Sequence, residues 1–99
     1  MGNLAAMYDS LGRHQDAVVL QEKTLEFRRR VLPENHSDIG ESCVNISISY
    51  HRAGDFRRAI EMAREALRIF QATLPPSHPH LKTAQELVRL IQGDIARRA

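Results

Sequence analysis

The chain has no tryptophan, one cysteine, and only two tyrosines and three phenylalanines in 99 residues. Each shortage excludes something. A lone thiol, Cys43, cannot close an internal disulfide or supply a zinc-type thiolate pair, so a reducing compartment is expected. Five aromatics, most of them at core positions, leave no set of stacking platforms for a nucleic-acid strand. Charge of one sign is also scarce: 14 Lys and Arg stand against 12 Asp and Glu, a net +2 that creates no strong field toward any partner. Nowhere does an apolar run approach the roughly 18 residues of a membrane span, and MGNLAAMYDSLGR lacks the apolar stretch of a signal peptide. The sequence therefore reads as cytoplasmic, with no membrane and no nucleic-acid partner. Five glycines and four prolines are too few for a low-complexity chain, while 42% hydrophobic residues suffice for a folded domain. No nucleophile triad, phosphate loop or paired-carboxylate constellation stands out, so the expectation is no enzyme, no catalytic residues and no cofactors.

What is present is a repeat. NLAAMYDSLGRHQDA at residues 3–17 returns 42 residues later as NISISYHRAGDFRRA. At that offset Asn3 meets Asn45, Tyr8 meets Tyr50, Gly12 meets Gly54 and Ala17 meets Ala59; Leu25, Leu32, Pro33 and His36 meet Leu67, Leu74, Pro75 and His78. The identities fall where a helical hairpin needs them: glycine at the turn, alanine where helices approach closely, proline after a helix end.

Helical periodicity agrees with the repeat. Phe56, Ile60, Ala63, Leu67, Phe70 and Leu74 keep one stripe, and Ala59, Met62, Ala66 and Ile69 lie beside it, so this helix is expected to be buried on two sides. The segment before it carries Ile39, Cys43, Ile46 and Tyr50 and stops at Ala53-Gly54. An earlier copy of the pair is expected at residues 3–11 and 15–31, with Ala17, Leu20, Thr24, Phe27 and Val31 facing inward. A last helix starts at Pro79, with Leu81, Ala84, Val88, Ile91 and Ile95 in register and Gly93 as a weak point near its end. The proline-bearing joints 33–37 and 75–79 stop one helix and start the next, since proline fits a first turn but not an interior.

The pattern NLAxxYxxxGxxxxA followed by a long second helix resembles a tetratricopeptide repeat. The 42-residue period and the joints VLPENHSDI and TLPPSHPHL resemble the longer variant of kinesin light chains, the usual unit being 34 residues. The resemblance covers residues 2 to about 92, with departures at Gln21, where the family carries an aromatic, and Thr24, where it carries alanine. It implies an all-α fold: a right-handed α-solenoid of antiparallel hairpins with about five helices, forming one domain over residues 1–99. Its parts would be a late-starting first repeat at 1–36, a second at 37–78, and a lone half-repeat or capping helix at 79–99.

It also implies a function, protein–protein recognition through a concave groove lined by the first helix of each hairpin. Carried over by position, the peptide-binding residues are Asn3, Ala6, Asp9, Ser10, Glu41, Val44, Asn45, Ile48, His51 and Arg52. Thr83, Glu86, Leu87, Leu90 and Asp94 extend the groove. The repeated asparagine is the sharpest of these, because an amide can pair with an extended peptide's backbone whatever its sequence.

Other conspicuous residues have plainer readings. His78 and His80 lack a third ligand for a metal, and His36 and His78 recur at the joints, where helix initiation accounts for them. Arg28, Arg29 and Arg30 sit where cations complement a helix C-terminus. Asn45-Ile46-Ser47 forms a sequon only by coincidence within a helix. Finally, a solenoid buries its core between neighbours, and the last helix has no hairpin mate. The chain is therefore expected either to be a fragment of a longer array or, as the alternative to peptide binding, to self-associate into a homo-oligomer through Leu81, Leu87, Leu90 and Ile91.

Overall fold

The computed structural model describes residues 14–98. They form four helices: α1 His14–Val31, α2 Ser37–Arg52, α3 Phe56–Thr73 and α4 Pro79–Arg98. Among the described residues there is no strand, and the stacked hairpins make an all-α solenoid. The helix expected at 3–11, and with it Asn3, Ala6, Asp9 and Ser10, lies outside the described residues.

Both joints are built alike, bond for bond, at the 42-residue offset. Leu32 N–H reaches back to Arg28 O at 2.9 Å, and Leu74 N–H to Phe70 O at 2.8 Å. After the proline, His36 N–H bonds Pro33 O at 3.1 Å and His78 N–H bonds Pro75 O at 2.9 Å. Each histidine then caps the following helix: His36 Nδ1 accepts from Asp38 N–H at 3.0 Å, and His78 Nδ1 from His80 N–H at 3.1 Å. An acceptor at this position satisfies one of the amides that a helix start leaves without a partner. The recurrent histidines are thus helix starters.

The turn between α2 and α3 depends on glycine. Gly54 has φ +84° and donates to His51 O at 3.1 Å, closing α2 in a conformation that costs a side-chain-bearing residue energy. Asp55 follows and caps α3 by accepting from Arg58 N–H at 3.2 Å.

The helix buried on two sides is α3. Ala66, Ile69 and Phe70 meet Ile39, Cys43 and Ile46 of α2, Leu25 of α1, and Leu81 and Ala84 of α4. Nearer its start, Ala59, Ile60 and Ala63 close on Ile91 of α4. Close approach is enabled by small groups. A Cβ on Gly40 would lie 2.5 Å from Phe70 Cε1, so the ring rests on bare backbone, and Ser47 Oγ donates to Ala59 O at 2.7 Å inside the same contact. The result is a slab of 34 × 30 × 18 Å, two helix layers thick.

Two expectations need correction. Phe27 and Val31, placed on the inward face of α1, are 56% and 58% exposed, because no described element packs on that side; Leu25 is the α1 leucine that enters the core. Conversely, Leu81 and Ile91, expected on a sticky surface of α4, are 5% and 0% exposed. The first stripe of α3, through Ile60, Ala63 and Phe70, has already covered them. Gly93 causes no break, and α4 runs through it to Arg98.

Candidate functional site

The first helices of successive hairpins, α2 and α4, are tied side by side at both ends. Near their starts His80 Nε2 lies 3.2 Å from Glu41 Oε1; near their ends His51 Nε2 lies 2.5 Å from Asp94 Oδ2. The second tie is the more elaborate. Asp94 also pairs with Arg97, while the His51 ring stacks on Phe56 at 5.1 Å and the Arg98 guanidinium sits 4.5 Å from the Phe56 centroid. The hydrogen bond from His51, helped by Arg97, holds the Asp94 carboxyl below the usual aspartate range.

Close to the first tie lies a hollow of about 440 Å³ lined by Arg28, Glu41, Val44, Asn45, Phe70, His80 and Thr83. Val44 and Phe70 give it an apolar floor and the remainder a polar rim. The Asn45 side chain is exposed on the rim of this hollow. Arg28 is engaged within the chain, since it donates to Asp38 O at 2.8 Å and Ser42 Oγ at 2.9 Å.

Of the expected groove residues, the fold brings Glu41, Val44, Asn45 and Thr83 to this hollow. His51 and Asp94 meet in the distal tie. Ile48 is half-buried, Arg52, Glu86 and Leu90 are exposed, and Leu87 leans on the core around Ala59 and Ile91; none of these lines the hollow. Sequence reasoning missed Arg28, Phe70 and His80. A signal for the first two existed, because they occupy the same position 42 residues apart, but on helices assigned to the outer layer. His80 follows from its place two residues after the capping His78.

A larger hollow, about 700 Å³, opens between α1, α3 and the first joint. Three of its charges pair with one another: Glu65 accepts from Arg68 at 2.6 Å and lies 4.0 Å from Arg29, and the Arg68 bond lowers the Glu65 pKa below the usual range. Beneath it, burial pushes the Cys43 thiol up to about 11, which leaves it protonated and unreactive at neutral pH. Among the described residues no helix is long and apolar enough to cross a membrane.

Stacked antiparallel hairpins whose first helices share one face define a helical-repeat scaffold, a class of protein that presents extended surfaces to other macromolecules. The tetratricopeptide-repeat model matches residues 1–72, and the chain belongs to that family, whose members generally mediate protein–protein interactions. The 42-residue unit is of the kinesin-light-chain type. The chain is 31% identical over 65 residues to Protein KINESIN LIGHT CHAIN-RELATED 3 of Arabidopsis thaliana, covering 66% of this chain and 10% of that protein. In fold it matches a kinesin light chain of Podosopora anserina with nearly identical TPR-like repeats: TM-score 0.89, 23% identity, 97% of this chain and 46% of that one. A point variant of the same protein gives 0.90 at 23% identity, over 97% of this chain and 45% of that one. The chain thus spans a tenth of the curated relative and less than half of each solved array.

Proposed function

We propose that the chain is a non-catalytic intracellular docking module that binds an extended peptide segment of a partner protein across α2 and α4. The observation that carries this reading is the hollow between those helices, with an apolar floor at Val44 and Phe70 and the exposed amide of Asn45 on its rim. Such a site suits a peptide that inserts one apolar side chain while its backbone bonds the amide. The lining carries both Arg28 and Glu41, so no strong selection for peptide charge is expected. Residues 37–78 act as one complete unit, with α1 and α4 as the halves that flank it.

The test is selection from a random peptide library against the 99-residue chain. Peptides that bind should lose about tenfold or more in affinity to Asn45→Ala, where one hydrogen bond is lost. They should lose more to Val44→Asp, which charges the floor, and retain most of their affinity in high salt. Binders indifferent to both substitutions would place the site elsewhere. A steep fall with salt, together with capture of single-stranded RNA, would instead support a nucleic-acid role.

A further inference from the structure

The outer layer of the slab carries a trench that the peptide reading leaves unused. Its walls are α1 and α3, and its floor is α2. The hollow of about 700 Å³ at the first joint and another of about 290 Å³ nearer the start of α3 share Glu61 and Met62, so each runs into the other. Ile39 and Ile46 of α2 and Leu25 of α1 form the base, all buried, and half-buried Met62 stands where the hollows meet. Ile39 belongs to one hollow and Ile46 to the other. Seven residues of helix separate them, which sets the hollows about 10 Å apart.

The charge of this trench runs against that of the chain. Over the whole sequence Lys and Arg outnumber Asp and Glu, 14 to 12. Along the trench Glu22, Glu34, Glu61 and Glu65 stand against Arg29, Arg58 and Arg68, and Asp55 holds Arg58 from outside at 3.6 Å. Counting Asp55, five carboxylates surround three guanidiniums. Those guanidiniums are drawn onto two of the five, Arg29 and Arg68 onto Glu65 and Arg58 onto Asp55. Glu22 takes the phenol of Tyr50, a donor without charge. Negative charge is thus in surplus in both hollows, and Glu22, Glu34 and Glu61 carry it at exposed positions of the walls.

We infer that this trench is a second docking surface, for an extended basic segment of a partner protein that seats one Lys or Arg side chain in each hollow. Such a side chain suits the trench along its whole length: the alkyl stem covers Met62 and the apolar base, and the cation reaches the carboxylates of the walls. About three residues of extended chain span 10 Å, and the flexible stems take up the remainder. An acidic segment would set its charge against the surplus, as would the phosphates of a nucleic acid. The trench shares no lining residue with the hollow between α2 and α4, so this inference does not depend on the peptide reading.

Fluorescence anisotropy with labelled heptapeptides tests it. The probes carry two lysines separated by one, two or three alanines, beside counterparts with glutamate in place of lysine. The expected result is saturable binding of a lysine peptide to the 99-residue chain, none of its glutamate counterpart, and an affinity lowered about tenfold or more by Glu61→Lys. Glu61 is exposed, so helicity by circular dichroism should be kept in that variant. Met62→Ala, which removes the surface a stem would cover, should weaken binding about threefold. Gln85→Lys with Gln92→Lys adds the same charge at two exposed positions of α4 and should leave binding nearly intact. Equal losses in that double variant and in Glu61→Lys would overturn the inference, because net charge alone would then attract the peptide. Binding indifferent to Glu61→Lys would overturn it too, as would glutamate peptides that bind equally well or lysine peptides that fail to bind at millimolar concentration.

Discussion

The two junctions between successive hairpins, α1 on α2 and α3 on α4, occupy equivalent places in the repeat and differ in material at four matched positions, although Leu25 gives the first an apolar contact too. In the first, Ser49 Oγ donates to Gln21 Oε1 at 2.6 Å, and Arg28 donates to Ser42 Oγ. In the second, the same four positions are Ile91, Ala63, Phe70 and Ala84, all essentially inaccessible to solvent. One backbone arrangement thus tolerates a hydrogen-bonded contact or an apolar one. The two are unequal in strength. A neutral hydrogen bond contributes about 0.5–1.5 kcal/mol net, and burial of a large apolar side chain about 1.5–3 kcal/mol. The second junction should therefore hold α4 more firmly than the first holds α1, and the stack should open from the α1 side.

The largest expected effect tests that inequality at one position. Phe70→Ala removes a ring packed on Gly40 and beside His80, at 5.4 Å between centroids, and should cost about 3–5 kcal/mol. Arg28→Ala, the equivalent change in the first junction, removes two charge-assisted hydrogen bonds from a half-buried site and should cost about 1–3 kcal/mol. Urea unfolding of both variants at a common m-value gives the comparison. Equal losses would mean that the material of a junction does not set its strength.

A transplant sharpens the comparison and should perturb stability less. Ser49→Ala alone leaves Gln21 without its partner and should cost about 1 kcal/mol. Gln21→Ala combined with Ser49→Ile copies the Ala63 and Ile91 pair into the first junction, replacing both polar partners at once. Such a double replacement should lie within about 1 kcal/mol of the parent, on the stabilising side where the isoleucine fits. A double variant worse than the sum of the single changes would show that the first junction is spaced for a hydrogen bond and cannot close on an apolar one.

Much of this was legible in the sequence because the repeat carries its own punctuation. Gly54 and the joints at Pro33 and Pro75 set helix ends that periodicity alone would leave loose, and the two stripes on α3 announced its burial on both sides. The first junction was not legible. Periodicity follows apolar residues, whereas Gln21, Arg28, Ser42 and Ser49 are polar groups facing inward, and pairing Gln21 with Ser49 requires the register of residues 28 apart. Their one trace was Gln21 at a position that is aromatic in the family. The ends misled for a related reason. An amphipathic stripe says that a side wants covering without saying whether a neighbour is present, so Phe27 read as buried and Ile91 as exposed. At the site, Asn45 and Glu41 followed from position, but the His51–Asp94 tie needed the spatial adjacency of α2 and α4.

That tie gives the smallest effect, and its pH dependence has a definite sign. His51 and Arg97 favour the charged carboxylate, so Asp94 binds its proton less readily in the folded chain than its ordinary value of 3.8 implies. A carboxyl group whose folded pKa is depressed adds stability above its unfolded pKa, and that contribution fades as pH falls through the folded value. Asp94→Asn cannot titrate. Its Tm should lie slightly below that of the parent at neutral pH, and the two should converge as acid protonates the parent's Asp94. A gap that stays constant into acid would show that the charge on Asp94 adds nothing to the tie. Because the tie joins α2 to α4, the same substitution should also weaken peptide binding at neutral pH, and a variant that loses the tie yet binds peptide as the parent does would separate the groove from the tie.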